Sequence, residues 1–403
     1  YYTPVVVVFA LLLALLPPLI DGDWSNWFYR SLVFLVVSCP CALVVSVPLT
    51  YFGALGRSAK EGILIKGGNF LDAVHKADTI LFDKTGTLTT GNFKVERVQL
   101  IGNHPYEEEY LLRMVSALER QSNHPLARAF AAYETSCRVT SSEEIAGKGL
   151  IGIVDGKTIA VGNTKLFDQL NIKAEVAAAD DRALLLAIEG STVAAFFLKD
   201  TIKEDALSTI KKLRKKGIQH QIIISGDYLN TVKDVAQELN LDAYHAQLLP
   251  QEKFELLRSI AKEHPNLIYV GDGINDGPSL AASKVGIALG RQSTDVAREN
   301  SDIVIASDKL SKLYRVKIIS DKATRLATQN IVLALTVKSL VMLGTVFGYT
   351  SMWLAVLADT GVTIIAIFNA LRIKTSPPVY LSPNFKLGFA FKSKPSRTPA
   401  KYS

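Results

Sequence analysis

Four runs of apolar residues stand out from a mixed polar background, at 5–20, 27–52, 331–347 and 353–373. Each is close to the roughly 20 residues that a bilayer core requires of a helix. They form two pairs of candidate spanning helices. Between the pairs lies a charged stretch, 57–325, too long for a loop and long enough to bury cores of its own. Within it, short β-branched runs stop abruptly at acidic or glycine-rich turns. Residues 79–82 precede Asp83, 221–224 precede Ser225-Gly226-Asp227, and 267–270 precede Gly271-Asp272-Gly273. Buried parallel strands have this pattern. Helical periodicity at 203–216, 229–239 and 251–262 intervenes, so the pattern predicts an α/β doubly wound parallel sheet with its site at the carboxyl ends of the strands.

The first strand is separated from the second by residues 94–195, which carry helical patterns of their own and hairpin-like strands around 149–161 with an Asp155-Gly156 turn. This segment reads as an inserted α+β domain. The resulting division is 1–56, two spanning helices; 57–93 and 196–325, the two parts of the α/β domain; 94–195, the insertion; 326–374, two further spanning helices. The basic tail, 375–403, is rich in Pro, Ser and Lys, a composition that predicts disorder.

Charge orients the chain. Arg57, Lys60 and Lys66 follow the second run, Lys317, Lys322 and Arg325 precede the third, and Arg372 and Lys374 follow the fourth, whereas the turn after the first run carries Asp21 and Asp23. The positive-inside rule puts the large domain in the cytoplasm of a multi-pass protein, with the plasma (inner) membrane as the expected location and lipid as a partner. A net charge of +7 raises the question of nucleic acid, but the lysines are scattered among acids or sit beside the spans, and no nucleic-acid partner is expected. Three cysteines give no disulfide framework. Tyr1 is not an initiator Met, and the first run lacks a basic leader and a small-residue cleavage site; it reads as a span in a chain whose N-terminus is cut.

Asp83-Lys84-Thr85-Gly86-Thr87 at the end of a hydrophobic strand offers an exposed nucleophile, Asp83, among backbone amides able to hold a phosphoryl group. Phosphoryl transfer needs cations and oriented donors more than acid–base chemistry. Lys253 supplies a cation, Ser225 and Gly226 a hydroxyl and an amide, Asp272 and Asp276 hard carboxylates suited to Mg²⁺, and Asn275 a neutral hydrogen bond.

DKTGTLT, the Ser-Gly-Asp triplet and GDGINDGPSL together resemble the haloacid-dehalogenase-like phosphorylation domain of the P-type ATPases, a likeness that covers nearly the whole chain. The resemblance implies an aspartyl phosphate formed on Asp83 from ATP, with Mg²⁺ held by Asp83, the Thr85 carbonyl and Asp272. Ser225 stands where the family commonly has Thr and keeps the hydroxyl. The insertion resembles the nucleotide-binding domain of the heavy-metal branch through Glu119, His124, Gly147, Gly149, Gly162 and Asn163. Glycines there let a backbone approach adenine, and His124 is placed to orient or stack on it.

Ser38-Cys39-Pro40-Cys41 interrupts the second run. Pro40 removes a donor and clashes with the preceding turn, so the helix should kink or unwind, turning Cys39 and Cys41 toward one cavity as paired soft ligands. Lys338 and Asp359 lie inside the third and fourth runs, where ionisable groups are costly and usually face a partner or an ion path. Two thiolates beside a carboxylate suit a divalent ion such as Zn²⁺ better than Cu(I). The resemblance agrees, because Lys338 and Leu357-Ala358-Asp359-Thr360-Gly361 are similar to the last two helices of the zinc, cadmium and lead exporters. Lys338 is open to three readings: counter-ion to Asp359, stand-in charge once the metal has left, or interfacial snorkeller.

Full-length members of that family carry an actuator domain and further helices ahead of the point where this sequence starts. The expectation is therefore ATP-driven export of Zn²⁺, Cd²⁺ or Pb²⁺, with phosphorylation at Asp83 retained but hydrolysis and transport impaired in a truncated chain whose missing half is lost or is a separate chain. The alternatives are a Cu(I)-transporting P-type ATPase and a non-catalytic metal-binding membrane protein.

Overall fold

The computed structural model describes residues 2–122, 125–145, 147–173, 183–272, 276–290 and 295–375. Every long apolar run is helical. The first forms Tyr2–Leu15 and the short turn Pro18–Asp21; the second, Trp24–Val37 and Cys41–Lys60; the third and fourth, Ser311–Val346 and Met352–Leu371. These stretches make four candidate spans by length and composition, and the chain is an integral membrane protein. Large apolar side chains remain outward on them, Phe9, Phe28, Phe52, Leu340 and Trp353 among them, as a lipid-facing surface requires.

The strands among the described residues are β1 (Ile63–Ile65), β2 (Thr79–Asp83), β3 (Thr89–Leu100), β4 (Val139–Ile145), β5 (Gly149–Val154), β6 (Lys157–Gly162), β7 (Ala183–Ile188), β8 (Ser191–Ile202), β9 (His220–Ile224), β10 (Ala243–His245), β11 (Ile268–Gly271), β12 (Val285–Leu289) and β13 (Ile303–Ile305). Seven form one sheet in the order β1-β13-β12-β11-β2-β9-β10, and six form a second in the order β3-β8-β7-β6-β5-β4. The first is parallel throughout except at its edge, where β1 runs antiparallel to β13. The expected doubly wound α/β sheet is thus present, with one antiparallel edge. The second sheet is antiparallel and contains the anticipated hairpin: β5 and β6 are joined by Asp155 and Gly156, both at positive φ, the primed-turn geometry that matches strand twist.

The central strands β2, β11 and β12 are buried along their whole length, because helices cover both faces. Ser311–Val346 is one continuous helix of 36 residues, about 54 Å long at the usual rise. The apolar run alone marked only its second half. Its first half is amphipathic and buries Leu313, Val316, Ile319, Ala323 and Leu326 in the same core as Ile80, Phe82, Val270 and Ile287 of the sheet. One helix is therefore both a membrane element and a wall of the α/β domain. Short helix Gly68–Lys76 is clamped between the two: Asp72 Oδ1 accepts from Tyr51 Oη at 2.5 Å and from Thr324 Oγ1 at 2.8 Å. Glu61 binds Arg315 through two hydrogen bonds of 2.6 and 2.8 Å.

Candidate functional site

Register brings the chemistry together. Phe82 pairs with Val270 and Asp83 with Ile224, so Asp83, Ser225 and Asp272 all emerge at the same edge of three adjacent strands. Asp83 is only 6% exposed. Burial pushes its carboxyl up to about 7, the neighbouring Asp276 charge adds to this, and Lys253 opposes it. Lys253 Nζ donates to Asp83 Oδ1 at 2.7 Å and lies 3.5 Å from Asp276 Oδ1. Burial works against the Lys253 charge, but the two carboxylates hold its pKa above the ordinary lysine value. Lys253 is placed by the start of helix Pro250–Glu263, where Pro250 opens the first turn and Glu252 reaches back to accept from Leu249 N at 2.7 Å.

After Asp83 the chain turns sharply at Gly86, whose φ of +75° a side chain would strain. A Cβ there would lie 3.1 Å from Asp272 Oδ2, so the loop and Asp272 are in direct contact. Two groups that motif reading did not single out hold this loop. Lys84, almost fully buried, forms an ion pair with Asp227 Oδ2 at 2.5 Å, and the same oxygen receives Thr85 Oγ1 at 3.3 Å and Ser225 Oγ at 3.1 Å. Burial disfavours the Asp227 charge, yet Lys84 and these hydroxyls keep its carboxyl below the usual range. Lys203, pulled down to about 8 by burial, donates to the Gly86 carbonyl at 2.7 Å. Thr89 donates to Asp200 Oδ2 at 2.5 Å. Asp227 was visible as the third member of its triplet; Lys203 and Asp200 carried no local signal, since their partners lie more than a hundred residues away.

Among the described residues, Asp83, Asp272 and Asp276 outnumber the ammonium groups of Lys253 and Lys203 that act on them, which leaves an excess of negative charge. Among the described residues, no group of three or more His, Cys, Asp or Glu side chains is gathered closely enough to hold a metal ion. Mg²⁺ seldom asks for that. It takes one or two carboxylates with carbonyl, phosphate and water oxygens, and the hard donors here fit it. Asn275 lies outside the described residues.

In the second sheet, Glu119, Ser122, Glu144, Gly147, Lys148, Gly149 and Asn163 line a cavity of about 160 Å³. Glu119 is 5% exposed at the end of helix Glu108–Glu119, and burial, with the Glu144 charge second, pushes its carboxyl up to about 7. Gly149 and Gly162 face each other across β5 and β6. A Cβ on Gly149 would stand 2.2 Å from the Val161 carbonyl oxygen, and one on Gly162 would stand 2.4 Å from that of Lys148. Their lack of side chains lets one strand approach another, and so shapes the cavity wall. Asn163 caps helix Thr164–Gln169 by accepting from Leu166 N, and donates to the Gly147 carbonyl at 3.0 Å. His124 lies outside the described residues.

In the membrane, the second run is broken as Pro40 requires: helix Trp24–Val37 ends, the Cys41 amide bonds only to the Cys39 carbonyl at 2.9 Å, and helix Cys41–Lys60 begins. Lys338, 7% exposed, donates to the Val37 carbonyl at 2.9 Å and shares the Cys39 carbonyl with the Cys41 amide. Lys338 Nζ also lies 3.2 Å from Asp359 Oδ1. The Cys41 thiol has Cys39, Asp359 and Lys338 as its electrostatic neighbours. The Cys41 thiol thus has the other three residues singled out from sequence as neighbours, but Cys39, Cys41 and Asp359 are not gathered closely enough here to form a metal-holding group. Of the three readings of Lys338, the contacts are those of a counter-ion that also caps broken backbone.

The haloacid dehalogenase-like hydrolase family matches residues 77–284, and the chain belongs to that family. Beyond that segment, similarity extends over nearly the whole length to heavy-metal pumps. The zinc-transporting ATPase of Synechocystis is 41% identical over 93% of this chain and 53% of its own length. The cadmium, zinc and cobalt-transporting ATPase of Bacillus subtilis is 39% identical over 93% and 54%. The chain thus spans about half the length of these relatives. A crystal structure of a zinc-transporting PIB-type ATPase in the E2.Pi state superposes with a TM-score of 0.78 at 32% identity, covering 93% of this chain and 62% of that one. The catalytic domain of the CPx-ATPase CopB-B matches at a TM-score of 0.54 and 28% identity over 66% of this chain. The resemblance read from the motifs is borne out by both sequence and fold.

Proposed function

We propose that this chain is the phosphorylated, metal-translocating part of an ATP-driven exporter of divalent heavy metal. The observation that carries the reading is the buried Asp83 with Lys253 on one carboxylate oxygen, at a strand end where Ser225 and Gly226 lie beside it. Asp83 attacks the γ-phosphorus of ATP, the bond to the ADP oxygen breaks, and an acyl phosphate forms; later attack by water releases phosphate and regenerates the carboxylate. Lys253 offsets the charge on the transferred group, and Lys84, Lys203 and Asp227 fix the loop from which Asp83 acts. Asp83, Asp272 and the Thr85 carbonyl would hold Mg²⁺, which would supply further charge neutralisation when bound. ATP occupies the cavity beside Glu119, which the Gly147–Asn163 bond shapes.

Cys39, Cys41 and Asp359 are the metal ligands, with Lys338 holding Asp359 when they do not bind metal. The carboxylate and its ammonium partner favour Zn²⁺, Cd²⁺ or Pb²⁺ over Cu(I), for which thiolates suffice. The names of the relatives, zinc and cadmium among them, support the same choice. The domains bearing Asp83 and Glu119 lie in the cytoplasm and the spans in the plasma membrane, by the basic flanks of the helices.

The test is incubation of purified chain with γ-labelled ATP and Mg²⁺, with and without Zn²⁺, followed by acid quench. An acid-stable, hydroxylamine-sensitive label that disappears in Asp83→Asn supports the aspartyl phosphate, and Zn²⁺ dependence ties it to the membrane site. A folded chain that takes no label defeats the proposal.

A further inference from the structure

A groove of about 830 Å³ opens on the side of helix Ser311–Val346, beside the end of helix Gly68–Lys76 and the residue that follows helix Ala206–Lys215. Its upper part is charged. Among the described residues lining it, Asp321 is the one carboxylate, and it is already engaged by His75 Nδ1 at 2.8 Å and Lys317 Nζ at 3.1 Å. Lys317 also donates to the Val74 and His75 carbonyls at 3.1 and 2.6 Å. Arg325 and Lys216 line the same groove, are exposed, and have no side-chain hydrogen bond or ion pair among the described residues. Below them stands Gln329, whose Oε1 accepts from Asn369 at 3.3 Å, which leaves its amide N–H groups as donors.

Helix geometry gives the depth of these groups. A bilayer core about 30 Å thick takes about 20 helical residues, and counted back from the helix end at Val346 these reach Ala327. Gln329 therefore lies at the edge of the hydrocarbon and Arg325 just outside it. Cβ atoms tilt toward the start of a helix, here toward the α/β domain, so the Arg325 stem rises into the headgroup layer. Arg325, Gln329, Val332, Thr336, Leu340 and Leu343 follow at steps of three and four residues and share one face. Val332, Leu340 and Leu343 remain outward on it. Read from the headgroup layer inward, the face presents cations, then an amide, then an apolar track, which is the order of phosphate, ester and acyl chain in a glycerophospholipid.

We propose that this groove holds one anionic phospholipid, with its phosphate on Arg325 and Lys216, an ester oxygen at Gln329 and an acyl chain along Val332, Leu340 and Leu343. A zwitterionic headgroup would bring a quaternary ammonium against two cations, whereas a net anionic one offsets them. The guanidinium fork of Arg325 suits a phosphate in particular. The seat lies on the helix that carries both Lys338 and part of the α/β core, so the bound lipid braces the joint between them.

The experiment is native mass spectrometry of the full chain released from micelles titrated with phosphatidylglycerol or phosphatidylcholine. The unmodified chain should retain one phosphatidylglycerol in preference to phosphatidylcholine. Arg325→Gln combined with Lys216→Gln should weaken that binding on the order of thirtyfold, the effect of two basic residues at a membrane surface. Lys60→Gln combined with Lys374→Gln removes the same charge from a separate groove at the ends of the second and fourth spans, and should weaken it by less than about threefold. All four side chains are exposed, so both double variants should keep the parent's far-ultraviolet circular dichroism. Equal losses in the two double variants would mean diffuse surface charge rather than a site, and the proposal falls. It falls as well if the folded chain retains the two lipids equally, or if free glycerol phosphate displaces the lipid at equal concentration. A dimer that the Arg325 and Lys216 variant dissociates would make the groove a seat for a second copy of the chain, and would overturn the proposal too.

Discussion

The most demanding prediction concerns Lys338. Its ammonium lies 3.2 Å from Asp359 and donates to two carbonyls beside the Pro40 break. With an effective dielectric of about 20, a pair at this separation attracts by about 5 kcal/mol, most of which offsets the cost of taking both charges from water. Lys338→Met keeps the length and apolar stem but strips Asp359 of its partner, removes the donor to the Val37 carbonyl and leaves the Cys39 carbonyl with the Cys41 amide alone. Removing one partner of such a pair costs about 3–5 kcal/mol; Asp359 keeps some exposure, which places the value near 3 kcal/mol. Asp359→Asn should cost less, about 1–2 kcal/mol, since Lys338 retains its two charge-assisted bonds. The double variant should then be less destabilised than the sum by about 1–2 kcal/mol, as is usual for groups in contact. The assay is reversible unfolding in a mixed-detergent titration, with the two single variants and the pair measured side by side. Additivity within about 0.5 kcal/mol, or a greater loss for Asp359→Asn than for Lys338→Met, would refute the account. Equilibrium Zn²⁺ binding gives an independent check: with no ammonium competing for Asp359, Lys338→Met should bind the ion more tightly than the parent.

Other outcomes follow from the same geometry. Gly86→Ala places a side chain at a φ of +75° against Asp272, should cost about 1–2 kcal/mol, and should lower the yield of acid-stable phosphoenzyme more than it lowers the melting temperature. Glu119, whose folded pKa of about 7 exceeds the unfolded value near 4.5, binds more protons folded than unfolded between those limits. Stability should therefore fall as pH rises through that window, and Glu119→Gln should recover up to about 3 kcal/mol at pH 8, read from denaturant midpoints at pH 5 and pH 8. Glu61 behaves in the opposite sense. Arg315 holds its pKa below the unfolded value, so its contribution is present above that value and is lost as acid carries the pH down through the folded one. Glu61→Gln should flatten the acid limb of the stability curve.

The α/β sheet and its nucleophile were legible because buried parallel strands write themselves as short β-branched runs and place acids at their ends. Thr79–Asp83 and the helix Leu229–Leu239 fall within a residue of where periodicity put them. The spans were equally plain, though the third run gave no hint that its helix continues for twenty residues into the α/β core, since an amphipathic stalk and a loop-side charged segment read alike. The antiparallel β1 was hidden by its three-residue length. What sequence could not give was the set of partners drawn together over long separations: Lys84 with Asp227, Lys203 with Gly86, and Tyr51 and Thr324 with Asp72. A lysine between two acids in the chain carries no mark of which carbonyl it will meet. Glu144 was invisible for the same reason, being one acid of an adjacent pair on an exposed strand.

The unbroken helix Ser311–Val346 has no proline, and its single glycine, Gly344, lies beyond Lys338. Leu326 is anchored in the sheet's core and Lys338 beside Asp359, with only helical turns between them. The relative azimuth of the two sites is thus fixed by a count of residues. One residue inserted between them would swing Lys338 by about 100° and carry it about 1.5 Å along the axis, whereas seven would nearly restore its bearing yet push it about 10 Å away. Composition in this stretch is free to drift; its length is a calibrated dimension of the machine.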